Sequence, residues 1–345
     1  MDILSSLQSG SNLFKKKDLN WGVLGTSRIA ARELIPAINS IRYNKVLGVA
    51  SRELTRAAEY ASNLEIPKSY GSYDELLADP EIQVVYNPLP NDDHFTWSMR
   101  AMDAGKHVLV EKPFALNAEE AQAMVCKAQE KNLVLMEGFM YRYNSRYQKI
   151  FDLLRKGELG KLRFVRSGYS FNLTNPDDFR LALDKGGGVL YDLGCYCINS
   201  QRLLVGREPV VVQAAWHKGQ SGVDLSVAAT MDFGDQVYTQ FTISYNASRH
   251  QYTQVVGVDA IMDIVQPFNP HGKPTSIVIT RDGKASKTNF RGENDYRNLA
   301  EHFYHVVINK ETPSYSLSDA VNTMAVMDAI AQSASNNSAP VALNL

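Results

Sequence analysis

Three short segments carry side chains that could handle a nucleotide and a carbonyl. The first, Gly25-Thr26-Ser27-Arg28-Ile29-Ala30, follows directly on the apolar run Trp21-Gly22-Val23-Leu24. A dinucleotide turn needs glycine for the tight bend, a small residue where the pyrophosphate approaches, and a small third residue for helix–strand packing. Gly25 and Ala30 fit, and Ser27 stands where the middle glycine would be, its hydroxyl available to a phosphate oxygen. The second segment, Ser51-Arg52, ends the run Val49-Ala50. An acid at that place would bind both ribose hydroxyls and repel a 2′-phosphate. A hydroxyl followed by a guanidinium suits a phosphomonoester, so NADP is expected over NAD; otherwise Ser51 only caps the next helix and Arg52 is solvated. The third, Glu111-Lys112-Pro113, follows His107-Val108-Leu109-Val110. A lysine there could give a proton or a hydrogen bond to a substrate oxygen, and as a proton donor it would need its pKa lowered by burial or a second cation.

These segments need a scaffold that brings strand ends to one edge. From Leu19 on, apolar β-branched runs (Trp21–Leu24, Lys45–Ala50, Ile82–Asn87, His107–Val110, Leu133–Met136) alternate with amphipathic, helix-length runs (Ser27–Asn39, Glu53–Leu64, Asp92–Ala104, and one opened by the Asn117 cap). Such alternation predicts an α/β, doubly wound parallel sheet, the Rossmann arrangement, over residues 19–140. After about residue 158 the texture changes. A helical stretch, Gly188–Leu204, precedes strand-like runs at Val210–Trp216, Ser226–Phe233, Val237–Tyr245, Tyr252–Val256, Ile261–Val265 and Ser276–Thr280, with hairpin turns such as Arg281-Asp282-Gly283. Two last helices cover about Tyr296–Asn309 and Ser318–Ser333. Residues 141–345 therefore read as an α+β domain with a largely antiparallel open sheet and terminal helices free to pack back on the first domain; the family resemblance given below makes it the domain for substrate binding and oligomerisation. Residues 1–18, with Lys15-Lys16-Lys17, read as a polar arm.

Composition narrows the class. The 345 residues hold 36 Lys plus Arg against 37 Asp plus Glu, a net charge of −1, which argues against a nucleic-acid binder. An aromatic content of 10% argues against a disordered regulator. The three cysteines, Cys126, Cys195 and Cys197, form no C-x-x-C pair, and Cys195 and Cys197 read as buried small hydrophobes in a helix, not nucleophiles. The histidines show no HExxH or paired spacing, so no metal is expected. No basic n-region opens the chain and no apolar run is long enough to span a bilayer; a cytoplasmic enzyme without membrane partners is the expectation.

A further pattern points to a known family. Asn87-Pro88-Leu89-Pro90-Asn91-Asp92-Asp93-His94, then Ala104-Gly105-Lys106-His107-Val108-Leu109-Val110-Glu111-Lys112-Pro113, resembles the glucose–fructose oxidoreductase / inositol dehydrogenase / MocA family. Its members carry a P-x-N-x-x-H loop and an A-G-K-H-V-x-x-E-K-P segment at this place in a Rossmann domain, with the Lys–Pro bond often cis. The resemblance implies that Lys112 lies beside the nicotinamide and the substrate hydroxyl. It also implies that Pro88, Leu89, Asn91, His94 and Glu111 join Gly25, Thr26, Ser27, Arg28, Ile29, Ser51 and Arg52 around the cofactor. A second signature, a glycine run followed by Asp and four residues later His or Tyr, reads here Gly186-Gly187-Gly188-Val189-Leu190-Tyr191-Asp192-Leu193-Gly194-Cys195-Tyr196. The i, i+4 spacing puts Asp192 and Tyr196 on one helix face. Tyrosine at that place resembles the branch of D-xylose dehydrogenases, dihydrodiol dehydrogenases and nucleotide-sugar ketoreductases. Glu137-Gly138-Phe139-Met140-Tyr141-Arg142-Tyr143 and Phe179-Arg180 resemble the same branch. They make Arg142 and Arg180 candidates for the nicotinamide carboxamide, the phosphates or a substrate oxygen, unless they are ordinary interdomain ion-pair partners.

The resemblance implies an NADP(H)-dependent oxidoreductase acting on a sugar or sugar-like hydroxyl or carbonyl, with substrate held by Lys112, Arg180, Asp192 and Tyr196. Tyr196, its hydroxyl acidified by the Lys112 cation, or Lys112 itself would handle the proton, and Asp192 would orient one of them or the substrate. Two other readings remain open: a nucleotide-sugar ketoreductase, favoured by a groove rimmed with basic residues, and a non-catalytic dinucleotide sensor. Family members pair their open sheets, so a homodimer or homotetramer is expected.

Overall fold

Residues 17–345 are described by the computed structural model, so the arm expected over residues 1–18 lies almost wholly outside them. Six short strands, most of them buried apolar runs, are β1 (Leu19–Leu24), β2 (Asn44–Ala50), β3 (Lys68–Tyr70), β4 (Val84–Asn87), β5 (His107–Val110) and β6 (Leu135–Glu137). They pair in parallel in the order β3-β2-β1-β4-β5-β6. The connecting helices are α1 (Ile35–Asn39), α2 (Leu54–Asn63), α3 (Tyr73–Ala78), α4 (Asp92–Asp103) and α5 (Ala118–Glu130). In this order the chain reverses its direction of travel between β1 and β4, so a ligand crevice opens at the carboxyl ends of those two strands. Gly25 and Pro88 begin there.

After a 3-10 turn, Met140–Tyr143, α6 (Ser145–Arg155) leads into β7 (Leu162–Asn172), and α7 (Cys195–Val205) follows the glycine run. Strands β8 (Val211–Lys218), β9 (Asp224–Asp232), β10 (Tyr238–Ser244), β11 (Asn246–Gly257), β12 (Ile261–Val265), β13 (Thr275–Arg281), β14 (Lys284–Phe290) and β15 (Val341–Ala342) complete a nine-stranded sheet. Its order is β14-β13-β12-β11-β7-β10-β9-β8-β15, and every neighbouring pair is antiparallel except β7 with β10. Along β10 the side chains alternate strictly, Thr239, Phe241 and Ile243 inward and Tyr238, Gln240 and Thr242 to solvent, so one face is covered and the other is open.

Helices α8 (Asp295–Tyr304) and α9 (Leu317–Ser335) lie against both layers. Phe303 packs on Trp21 of β1, ring centroids 4.9 Å apart, and Asp328 accepts the amide of Ala118 at the start of α5 at 2.8 Å. Among the described residues no helix is long and apolar enough to cross a membrane.

Several elements were not legible in the sequence. β3 and α3 are too short to show a period. β7 is the spine of the second sheet, yet Arg166 and Ser170 interrupt its apolar residues because every second position faces the open side. β14 is mostly polar and is exposed except at its last residue, Phe290; it is a strand only because the Asp282-Gly283 turn, both residues at positive φ, folds it onto β13.

Candidate active site

Two adjoining cavities lie along the crevice. The larger, about 600 Å³, begins at the turn after β1. Gly25 sits at φ 76°, its amide donating to the Ala50 carbonyl at 2.8 Å, and a Cβ there would come within 2.8 Å of the Leu89 side chain. Only glycine holds that turn without displacing Leu89. Thr26, Ser27, Arg28 and Ile29 continue the wall. The Ser27 hydroxyl accepts the Ala30 amide at 3.2 Å and so opens the following helix, which winds through a π turn, Ala30–Leu34.

At the tip of β2, Ser51 and Arg52 both line this cavity, and so does Arg56 one helical turn further on. Among the described residues no carboxylate lines it. Glycine at the bend, a helix start and a guanidinium cluster fit the pyrophosphate and phosphomonoester of a dinucleotide. Arg56 and Arg32 were missed by the sequence reading; for Arg56 the signal was its i, i+4 spacing from Arg52.

The smaller cavity, about 280 Å³, continues past Pro88, Leu89 and Asn91 to Glu111 and Lys112. The Lys112–Pro113 bond is cis. Lys112 Nζ donates to Asp192 Oδ1 at 2.7 Å and to the Asp192 carbonyl at 3.0 Å. The other carboxylate oxygen, Oδ2, accepts Arg180 Nε at 2.9 Å and the Tyr245 hydroxyl at 3.1 Å. Asp192 stands on a π turn, Leu190–Gly194, that runs into α7. This turn is placed by Asp224, whose Oδ2 accepts the Leu190 amide at 2.7 Å. Gly188, at φ 127°, makes room for it: a Cβ would meet the Asp224 carboxylate at 2.2 Å.

The electrostatics follow from that hub. Burial opposes the Asp192 charge, but the Lys112 and Arg180 cations outweigh it and hold the carboxyl far below its ordinary range. Burial likewise opposes the Lys112 charge, and Asp192 more than offsets it, so the lysine pKa is raised. This corrects the expectation of a lowered value: Lys112 is a firmly held ammonium. Glu111, pushed up by burial, accepts the Tyr86 hydroxyl at 2.6 Å.

Tyr196 shares the cavity with Asp192. Its hydroxyl is directed at Met140 Sδ, 3.7 Å away, while Lys112 Nζ lies over its ring, 5.1 Å from the centroid. Burial pushes the phenol well above its ordinary value, so the expected acidification by Lys112 is not found.

One other expectation is corrected. Arg142 is buried and lines neither cavity; its guanidinium pairs with Asp319 and donates Nε to Asn199 Oδ1 at 2.9 Å. The 3-10 turn Met140–Tyr143 faces it toward α7 and α9, so it ties helices together. His94 lines the second cavity, and its ring nitrogens lie 2.7 and 2.9 Å from the carbonyl oxygens of Pro113 and Leu89, so it also braces two loops. Cys195 and Cys197 are buried, with thiols pushed up by burial.

Glu137, at the end of β6, is buried with no well-formed hydrogen bond on either oxygen, and burial pushes its pKa up to about 8. An acid whose folded pKa exceeds its unfolded value of about 4.3 costs nothing when both states are protonated, and an increasing amount as pH rises from there toward 8. Glu137→Gln is therefore expected to be more stable than the parent by a margin that grows between about pH 4 and pH 8. Paired thermal melts across that range check it, and a margin independent of pH would refute it.

The sequence reading also missed Tyr169, Arg249, Asn269, His271 and Tyr296, which close the second cavity from β7, β11, the loop before β13, and α8. No motif joins them; the nine-stranded sheet and α8 bring them together.

Comparison with known proteins follows the same lines. Residues 19–139 match the model of the oxidoreductase family with an NAD-binding Rossmann fold, and residues 147–262 that of the GFO/IDH/MocA C-terminal domain. D-xylose 1-dehydrogenase (NADP(+)) 2 of Haloferax volcanii is 33% identical, covering 92% of this chain and 98% of its own. Trans-1,2-dihydrobenzene-1,2-diol dehydrogenase of Bos taurus is 32% identical over 77% of this chain and 79% of its own. Among solved structures, KijD10, a 3-ketoreductase from Actinomadura kijaniata in complex with NADP and TDP-benzene, superposes with a TM-score of 0.88. It is 26% identical, covering 92% of this chain and 98% of its own.

Proposed function

The chain belongs to the Gfo/Idh/MocA family of NAD(P)-binding oxidoreductases, and from that premise we propose that it transfers hydride between NADP(H) and a hydroxyl or carbonyl carbon of a sugar-like substrate. The observation that carries the reading is the Lys112 ammonium, held by Asp192 at 2.7 Å inside a cavity that adjoins the dinucleotide crevice. NADPH supplies a hydride from the nicotinamide. Lys112 Nζ then serves as donor to the substrate oxygen: it polarises the carbonyl and gives its proton to the developing alkoxide. Alkoxides are far more basic than amines, so a raised lysine pKa leaves that transfer downhill. Asp192 fixes Nζ in place and, with Arg180, keeps the site's charge balanced. Tyr196 supplies a neutral phenol that must turn away from Met140 to reach the substrate. In the oxidation direction the proton moves from the alcohol to a neutral lysine.

In this reading residues 19–140 hold the cofactor and residues 141–345 hold substrate and pair with a second copy. The open sheet face, which presents Phe164, Tyr238 and Tyr252 at 37–41% exposure, is the surface that would pair. Consumption of NADPH on adding keto-sugars, or its formation from NADP with aldoses, tests the enzyme reading against a non-catalytic sensor. No change in absorbance with any sugar would sink it.

NADP preference rests on Ser51, Arg52 and Arg56, with no acid at the tip of β2. Both arginines are exposed, so each phosphate contact falls at the low end of charge-assisted bonds, about 1.5 kcal/mol. Arg52→Ala with Arg56→Ala is expected to raise the KM for NADP by about 10²-fold and that for NAD far less. Initial rates with both cofactors check it. A parallel rise would remove the 2′-phosphate assignment.

A further inference from the structure

The cavity beyond Lys112 carries positive charge that hydride transfer does not use. Arg249, on β11, lines it, and Arg249 Nη2 lies 3.1 Å from Nε2 of His271. Among the described residues Arg249 forms no ion pair with a carboxylate. The acids of this cavity are committed elsewhere, Glu111 to the Tyr86 hydroxyl and Asp192 to Lys112 and Arg180. Arg32, on the same cavity, pairs with Glu33 at 2.9 Å. Because His271 Nε2 accepts from the guanidinium, its ring proton is on Nδ1 and available as a donor.

The loop that presents His271 is firmly built. Asn269 Oδ1 accepts the His271 amide at 3.1 Å, and His271 itself sits at φ 50°. Beneath, the fully buried Arg146 donates Nη1 to the Val265 carbonyl at 2.6 Å and to Thr275 Oγ1 at 2.7 Å, and Nη2 to the Pro267 carbonyl at 2.9 Å. A guanidinium is thus spent, without a carboxylate partner among the described residues, on fixing both ends of the His271 loop. The result is a paired cationic and neutral donor at one position on the wall of the substrate cavity.

The geometry points to Arg249 and His271 as an anion subsite: the substrate carries a negatively charged substituent, a carboxylate or a phosphate ester, which the Arg249 guanidinium and the His271 Nδ1–H hold while Lys112 addresses the reacting oxygen. This rests on the hydride-transfer reading of the cleft and specifies its substrate class. A planar fork of donors matches either anion in two-point contact, and an unpaired guanidinium discriminates little among neutral sugars. At about 280 Å³ the cavity suits a monosaccharide with one such group, and anything larger attached to the anion would extend past Arg249 to solvent.

The test measures binding to the protein holding NADP, and turnover, for D-glucuronate, D-glucose 6-phosphate and TDP-glucose, each against D-glucose and D-xylose. At least one anionic ligand should bind roughly 30-fold more tightly than D-glucose at low ionic strength, with the advantage shrinking as salt is added. Which of the three shows it identifies a sugar acid, a sugar phosphate or a nucleotide sugar. Arg249→Gln should cut the anionic-to-neutral ratio by roughly tenfold, and Arg249→Lys should restore part of it because charge remains without the fork. A thermal shift by NADP matching the parent's shows that the variants are folded. Binding of D-glucose as tight as that of all three anions, absence of binding by all three, or a ratio unmoved in Arg249→Gln would each overturn the subsite. Turnover of neutral sugars without anion preference removes the subsite alone. An anion preference in binding with no turnover of any sugar removes the hydride-transfer reading instead.

Discussion

Replacing Lys112 with alanine is expected to lower turnover by roughly 10²–10⁴-fold while NADPH affinity stays within a few-fold of the parent. The size follows from what surrounds Nζ. Lys112 is the ammonium fixed by Asp192, its pKa is raised, and the Tyr196 hydroxyl is directed at Met140 Sδ. Without the lysine no cation is held against the substrate oxygen, and the alkoxide forms without a partner. The affinity is kept because the phosphate turn and the Ser51–Arg52 tip belong to the other cavity. Tyr196→Phe is expected to do less harm, since the phenol must first reorient. Single-turnover rates with a saturating sugar, beside direct NADPH titration, separate chemistry from binding. Unchanged turnover in Lys112→Ala would end the assignment of Lys112 as proton donor.

The second large effect falls on Asp192. Its removal strands two cations that burial already disfavours, a situation that typically costs 3–5 kcal/mol. Arg180 keeps Asp178 at 3.1 Å and is partly exposed, so Asp192→Ala is expected to destabilise by about 3 kcal/mol, the low end of that range. The pH dependence has a definite sign on each side. The Asp192 carboxyl is held below its unfolded value of about 3.9, so its contribution is full above that pH and is lost as pH falls toward the folded pKa. The Lys112 pKa is raised, so its contribution is full below the unfolded value of about 10.4 and is lost as pH rises through the folded one. In Asp192→Asn, burial acts on Lys112 unopposed by that carboxylate, and the alkaline limb of the kcat/KM profile should move to lower pH. Denaturant titrations and pH–rate profiles check the two halves, and an alkaline limb that stays in place would show that Lys112 does not depend on Asp192.

Five of the six strands of the first sheet were legible because their determinants are local, and β3 was too short to show. Apolar runs alternating with capped helices fix the parallel layer, and the Gly25 bend shows in the residue types around it. The state of Lys112 was not legible. Burial suggested a lowered pKa, and only the fold reveals that a carboxylate 80 positions away sits at hydrogen-bond distance. Arg142 shows the converse: it belongs to a recognisable stretch, but a single 3-10 turn directs it inward to Asp319. Tyr169, Arg249 and His271 leave no trace in any short window, since they meet through cross-strand pairing and a loop whose shape depends on Arg146.

The two cavities share a wall, with Pro88, Leu89, Ile29 and Arg32 from the first layer facing Phe179 and Arg180 from the second. The place where hydride would cross is thus a seam, and neither layer contains it. Cutting the chain between the layers would leave halves that could each bury much of their own core, yet neither would hold a complete reaction site. Mutational sensitivity should accordingly concentrate along α8 and α9, whose side chains touch no ligand cavity except at Tyr296 but clamp the seam shut. In such a molecule alignment between the halves is itself a catalytic quantity, and the residues that govern it would be invisible to any search for reactive side chains.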